Sequence, residues 1–420
     1  MKILLSAYAC EPNRGSEAEI GWGIALELSK LHQVWVITRA NNEAVHQAAF
    51  KKFNKPETLN FIYYDLPNWI RFYKKGNKNF LIYYYLWQIG SGFAAKQFLK
   101  KNPIDVVHHL TGGMDFFPSG FSFLKKPFIW GPIGGEDTHT KILSNLPRPD
   151  RMKEYKRIFL RFLIRHFDPF TRMTANRADL ILLYSSKSAL SSRRYLYRYR
   201  RKIARGIQTG LILDQRYENA KKRFRQNNPF TIIYAANLIS WKGGRFVVQA
   251  FIKLVKKHNP DVRLVIVGDG PLKKDMHAAL TEKGLTNKVT FTGFLPMQKL
   301  IDLLPKGDVF LYPTYHHGLA NICLQAMVMG LPVVCLEGDG IQTSVEFGGG
   351  LAVPVENYDT IGDRLADSLH QLYKDRLLCF EMGQKARETV IKRFEYSVLA
   401  KQFTKRYLNT ITNYESKSTD

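Results

Sequence analysis

Cysteine and acidic side chains are what this chain of 420 residues has least of for its size, and each shortage removes a class of answers. The 4 cysteines stand at positions 10, 323, 335 and 379. Such spacing has neither the close pairs of a zinc site nor the density of a disulfide-stapled domain, so they read as reduced thiols, and no metal or cofactor is expected. A run of about 18 uncharged apolar residues is also missing, since the apolar segment Phe80 to Gly90 has lysines within a few positions; no membrane-spanning helix is expected. The 30 glycines and 18 prolines follow no period, which excludes a collagen-like or low-complexity chain. The opening run Met1 to Tyr8 is strand-like and too short for a signal-peptide core, so the chain is expected to begin inside the fold and to work in the cytoplasm.

The acidic shortage is the larger signal: 36 Asp and Glu face 62 Lys and Arg, a net charge of +26. Residues 1–210 hold 34 basic and 15 acidic side chains, and residues 211–420 hold 28 and 21. Between Arg151 and Arg205 the counts are 16 and 3, a face that suits an anionic partner such as nucleic acid or lipid headgroups, or simply a solvated basic surface. Arg157, Arg161 and Arg165 recur every four residues, with Ile158, Phe159, Phe162 and Leu163 beside them, the pattern of a helix lying in a headgroup layer. Aromatic rings among cations between Trp69 and Trp87 add interface anchors. The expectation is a peripheral protein on the inner face of the cell membrane. Tyrosines alternate with arginines between Arg193 and Lys202, as a single-strand binder would want, but no recognised nucleic-acid module is present, and nucleic acid is not an expected partner.

What is present is apolar: 45% of the chain, enough for two cores. β-branched runs separated by helix-length amphipathic stretches occur at Lys2 to Tyr8, Gln33 to Thr38, Leu59 to Tyr64, Val106 to His109, Pro127 to Trp130 and Leu180 to Tyr184. A second series follows at Thr231 to Ala235, Arg263 to Val267, Val289 to Thr292, Val309 to Tyr312, Pro332 to Leu336 and Leu351 to Val353. Strand–helix alternation predicts two parallel sheets, hence two Rossmann-like domains in tandem. The expected division is 1–207, a polar linker 208–228, a second domain 229–390, and a helix in 391–420 that crosses back to the first domain and ends in a frayed tail.

Three places could carry chemistry. The first strand runs into Arg14-Gly15-Ser16-Glu17 and a helical pattern, a glycine turn that aims backbone N–H groups at an anion, although it is not the GxGxxG of a dinucleotide site. In the second series, Asn237-Leu-Ile-Ser-Trp-Lys242-Gly243-Gly244 and Gly268-Asp-Gly-Pro271 each end a strand and start a helix. Two such turns side by side form a nucleotide crevice, where Lys242 would neutralise phosphate. The third is Tyr312 to Val334, a strand, then a polar loop His316-His317-Gly318-Leu319-Ala320, a short helix carrying Gln325, and Gly330-Leu-Pro before another strand.

Together with Asp105-Val-Val-His108, Thr292-Gly293-Phe294 and Gly350-Leu-Ala-Val-Pro354, these pieces in this order resemble, over nearly the whole chain, the retaining nucleotide-sugar-dependent glycosyltransferases of family 4. The resemblance implies the GT-B fold, α/β with two Rossmann-like domains whose parallel sheets face a central cleft. It further implies a hexosyl transfer from a nucleotide sugar to a glycan or lipid-linked acceptor, with retention of anomeric configuration, in cell-surface polysaccharide or glycolipid synthesis. The donor would be held by the second domain through Asn237, Gly268, Gly318, Leu319, Ala320 and Gln325, with Arg14 and Gly15 reaching it from the first. Lys242, His109 and His317 would carry the catalysis. The sequence departs from the family pattern at three points: its two glutamates fall on His317 and Gln325, one of two diphosphate cations falls on Asn237, and the histidine after the strand at 127–130 is absent, leaving His108 or His109 to compensate. These losses keep open a catalytically weakened or non-catalytic partner of the same fold, or a nucleic-acid binder. A sugar-nucleotide epimerase is disfavoured because its acid and base carboxylates are missing.

Overall fold

The computed structural model describes the chain apart from residues 13, 53, 72–78, 135–139, 184–195, 197, 208, 214–216, 218–223, 225–228, 317–319, 339 and 420. It divides into two compact units, one of residues 1–135, 158–212 and 396–420, the other of residues 136–157 and 213–395. This differs from the division expected from the sequence at residues 136–157, which group with the second unit. The reason is local: Asp150 and Glu154 find their charge partners there.

The first unit is built on seven parallel strands: β1 (Lys2–Ser6), β2 (Gln33–Arg39), β3 (Leu59–Tyr64), β4 (Val106–His109), β5 (Phe128–Ile133), β6 (Leu180–Leu183) and β7 (Ile203–Arg205). They lie in the order β3-β2-β1-β4-β5-β6-β7. Alternating side chains of β1 feed two cores: Leu4 joins Trp87, Phe121 and Trp130 on one face, while Ile3 and Leu5 join Trp22, Val34, Phe403 and Tyr407 on the other. Helix Phe80–Leu99 covers the first face, and helices Ser16–Ser29 and Tyr396–Thr419 cover the second. The tail helix is fixed by burial of Tyr396, Leu399, Phe403 and Tyr407, spaced three and four residues apart as one helical face requires.

The second unit repeats the arrangement with β8 (Phe230–Ala235), β9 (Val262–Val267), β10 (Val289–Gly293), β11 (Val309–Tyr312), β12 (Val333–Leu336) and β13 (Gly350–Val353), all parallel, in the order β10-β9-β8-β11-β12-β13. Helix Gly244–His258 buries Phe246, Val247, Ala250, Phe251 and Leu254, and helix Ile361–Lys374 buries Ile361, Leu365, Leu369 and Leu372. In each sheet the strand order reverses next to the first strand, between β1 and β4 and between β8 and β11. That switch point opens a crevice at the carboxyl ends of the strands, the usual ligand position of doubly wound sheets.

Candidate active site

At the switch point of the second unit, β8 is followed by exposed Asn237 and a short 3-10 turn, Ser240–Lys242. Gly243 closes the turn at φ +79, and a Cβ there would lie 2.0 Å from the Pro313 carbonyl oxygen, so only glycine lets this turn meet the end of β11. The two segments are then laced together. The Trp241 carbonyl accepts from Thr314 Oγ1 at 2.8 Å and from the Tyr315 amide at 3.2 Å, and the Tyr315 hydroxyl donates to Ser240 Oγ at 2.8 Å. Lys242 Nζ donates to the Tyr312 hydroxyl at 2.9 Å and lies 3.9 Å from the centre of the Trp241 ring. Burial pushes the Tyr312 phenol well above its ordinary pKa, so it stays a neutral partner for the ammonium.

The neighbouring turn after β9 is equally constrained. Gly268 has φ +123, and a Cβ there would lie 1.9 Å from the Ala236 carbonyl oxygen; its amide donates to the Gly293 carbonyl at 2.8 Å. Three strand ends, those of β8, β9 and β10, are thereby drawn side by side, with Asn237 and Gly268 in the crevice beside the Lys242 turn.

A buried polar group stands beside this turn that the sequence did not disclose. The His316 ring stacks on Trp241, centroids 4.6 Å apart and planes at 8°. Its Nε2 lies 3.4 Å from Glu154 Oε1 and 3.4 Å from an Arg157 guanidinium nitrogen, while Arg157 and Glu154 pair at 2.9 Å. Glu154 and His316 side chains are only 8% and 5% exposed. Arg245 pairs with Asp150 at 3.1 Å from the same stretch of chain. No sequence signal finds this set, because Arg157 and His316 stand 159 positions apart.

The remaining expected donor residues divide. His317, Gly318 and Leu319 lie outside the described residues. Ala320 precedes helix Asn321–Val328, and Gln325 within it is 2% exposed, a buried position. Most of the expected linker, and residues 193–195 and 197 of the tyrosine–arginine run, likewise lie outside the described residues.

In the first unit the switch point is drier. His109 ends β4, is 2% exposed, and its pKa is pushed down to about 4 by burial, which keeps the imidazole neutral. Its neighbour His108 is a core residue: Nε2 meets the Gly131 carbonyl at 2.5 Å, Nδ1 meets the Tyr407 hydroxyl at 2.7 Å, and burial lowers its pKa to about 3. The alternative that His108 serves the site is therefore corrected. Gly15 begins helix Ser16–Ser29 at φ +65 with nothing within 4 Å of a Cβ. The first helical turn holds Glu17 and Glu19, which complement the helix dipole and weaken the turn as an anion cradle. Exposed Arg14 pairs with buried Glu11, which also binds Arg39 at 2.6 Å.

The arginine stripe needs a second correction. On helix Arg148–Phe167, Arg161 is 6% exposed with its guanidinium 5.1 Å from the Phe116 ring, and Arg165 pairs with buried Asp115 at 2.9 Å. Arg157, its side chain 33% exposed, is paired with Glu154, so all three cations are engaged with protein groups. The exposed face is apolar: Phe159 is 63% exposed, Phe162 48% and Phe167 69%, with Met152, Tyr155, Leu160 and Leu163 alongside. Among the described residues no helix is long and apolar enough to cross a membrane, and no cluster of His, Cys, Asp and Glu could hold a metal ion.

Residues 215–389 match the model of the family described as glycosyl transferases group 1. That stretch is similar to the glycosyl transferases group 1 family over 175 of the chain's 420 residues. It contains the whole Lys242 crevice. Over 131 residues the chain is 36% identical to a 2-deoxystreptamine glucosyltransferase of Streptomyces kanamyceticus, a match covering 30% of this chain and 33% of that protein. For the curated relatives the matched stretch spans a third to a half of their own length. Among solved structures, the sucrose-phosphate synthase of Thermosynechococcus elongatus superposes with a TM-score of 0.63 at 15% identity, covering 98% of this chain and 99% of that one. Anabaena HepE in complex with UDP gives 0.61 at 16% identity, covering 97% and 100%. These likenesses establish the fold: the chain has the two-unit α/β architecture of GT-B glycosyltransferases.

Proposed function

We propose that this protein moves a hexosyl unit from a nucleotide sugar to a glycan or lipid-linked acceptor, with retention at the anomeric carbon. The observation that carries the reading is Lys242, an ammonium held at the carboxyl edge of a parallel sheet beside the Gly268 turn, where a diphosphate is neutralised without side-chain rearrangement. The relative bound to UDP supports a nucleotide-sugar donor. In the step proposed, the bond from the anomeric carbon to the diphosphate breaks and the acceptor oxygen bonds to that carbon from the same face. The departing phosphate oxygen takes the acceptor proton. Lys242 stabilises the charge that grows on the leaving group, so neither a protein nucleophile nor a metal is required of this chain. Incubation with UDP-, GDP- and ADP-sugars, followed by NMR of the released or transferred sugar, tests it. An α-configured product from an α-configured donor is expected; an inverted product, or no turnover with any donor, overturns it.

The acceptor is proposed to sit on the inner face of an anionic membrane, reached through the apolar face of helix Arg148–Phe167. Exposed Phe159, Phe162 and Phe167 supply the burial, and exposed Lys153 and Lys156 on the same helix supply cations worth about 1 kcal/mol each near such a surface. Co-sedimentation with vesicles tests it: Phe159→Ser with Phe162→Ser should release the protein, and Lys153→Glu with Lys156→Glu should abolish the preference for anionic lipid. Equal, salt-insensitive partitioning of the unaltered protein to neutral and anionic vesicles overturns it.

A further inference from the structure

Glu154 is a buried carboxylate, 8% exposed, in a chain with few acids to spare, and it faces an imidazole that is itself only 5% exposed. A buried charge is costly unless it is paired, and here it pairs with Arg157 at 2.9 Å and with His316 at 3.4 Å. His316 in turn presents its flat side to Trp241 at 4.6 Å, and Trp241 forms the wall on which the Lys242 ammonium rests at 3.9 Å. Each link is a contact within the second unit. The chain of contacts ends on the group that the proposed function assigns to the diphosphate.

A lysine is a poor fixed cation by default, because its four-carbon stem loses rotamer freedom when it is held. Lys242 is held before any ligand arrives by contacts that include the Tyr312 hydroxyl and the Trp241 ring. Tyr312 is a core residue of β11 and is 1% exposed, whereas Trp241 sits on a short turn and is only partly buried, so its ring needs outside support. That support is the His316 stack, oriented by Glu154. A site whose cation is pre-placed binds its anion without a further ordering cost.

We propose that Glu154 is a positioning residue for Lys242, acting through His316 and Trp241 to hold the ammonium where a nucleoside diphosphate is bound. This rests on the reading of Lys242 as the phosphate lysine. It also gives a role to an acidic residue in a chain that has His317 and Gln325 where the resemblance implies two carboxylates.

Titration calorimetry of the full chain with UDP, GDP and ADP, each beside its nucleoside, tests it. Glu154→Gln should weaken the diphosphate that binds best by about fivefold and leave the matching nucleoside within about twofold, because only the phosphate contact is mispositioned. Trp241 fluorescence, read as the difference from Trp241→Phe, should respond to diphosphate in the unaltered protein and respond less in Glu154→Gln. His316→Asn should reproduce the selective loss, and the double variant should be no worse than the larger single effect. Equal weakening of nucleoside and diphosphate, in whichever of the two variants folds, overturns the proposal by making the role merely structural. If Lys242→Ala weakens diphosphate binding while Glu154→Gln and His316→Asn do not, positioning fails alone. If Lys242→Ala has no effect, the reading of the site fails and takes the positioning with it.

Discussion

The two switch points share one strand order and hold opposite chemistry. Between β8 and β11 an ammonium stands at the sheet edge, walled by Trp241 and Tyr312 and backed by an ion pair. Between β1 and β4 the last residue of β4 is a neutral imidazole, and Tyr84 packs so closely that a Cβ on Gly112 would overlap its hydroxyl. Topology therefore supplies both crevices and local side chains set their chemistry: one carries an ammonium braced by an aromatic ring and a phenol, the other a buried neutral imidazole.

The difference can be broken most forcefully through the backbone. Gly268→Ala places a Cβ against the Ala236 carbonyl oxygen at a φ that side chains avoid, so chemical denaturation should show a loss of about 3 kcal/mol; Gly15→Ala, with no neighbour within 4 Å of its Cβ, should cost about 1 kcal/mol. Equal costs would mean that the two turns are alike after all.

Acid should act through the first unit. The unfolded chain takes up a proton on each histidine below pH ~6.5, whereas folded His109 does so only at about 4 and His108 at about 3, so the stability they contribute is full above ~6.5 and lost as pH falls toward those values. Each contributes a slope of up to ~1.4 kcal/mol per pH unit in that window. Urea melts of His109→Gln between pH 6.5 and 4.5 should fall less steeply than those of the unaltered protein, and parallel slopes would refute the neutral buried imidazole.

Lys242→Ala should lower affinity for the preferred nucleoside diphosphate by about tenfold, measured by calorimetry; a change within about twofold would remove the functional contrast between the crevices. The smallest effect is expected at Arg14→Ala. Its side chain is 64% exposed, and Glu11 keeps Arg39, so thermal unfolding should shift by less than the equivalent of ~0.5 kcal/mol.

Much of this was legible in the sequence because it depends on neighbours along the chain. β-branched runs such as Leu59–Tyr64 and Val309–Tyr312 are strands where they were expected, and the turn at Lys242 could be read because Gly243 and Gly268 have backbone tasks no other residue performs. Strand β7 was missed: Ile203–Arg205 is three residues long and sits in a basic run that masks its pattern. The helical period of Arg157, Arg161 and Arg165 was real, but a period says only which residues share a face, not whether that face is covered. Here Asp115 and Phe116 turned the cations inward and left the phenylalanines outside. The partnership of Glu154 with His316 is a product of folding alone.

Residues 396–420 close the unit that residues 1–135 open, and the Tyr407 hydroxyl reaches back to His108 in the middle of the first sheet. A ribosome delivers that last helix only after the entire second unit has emerged, so the first unit waits for its final layer, with Ile3, Leu5 and Val34 lacking their cover until then. Chain order and spatial order thus differ: part of the cover of the first sheet is synthesised after residues 213–395 of the second unit.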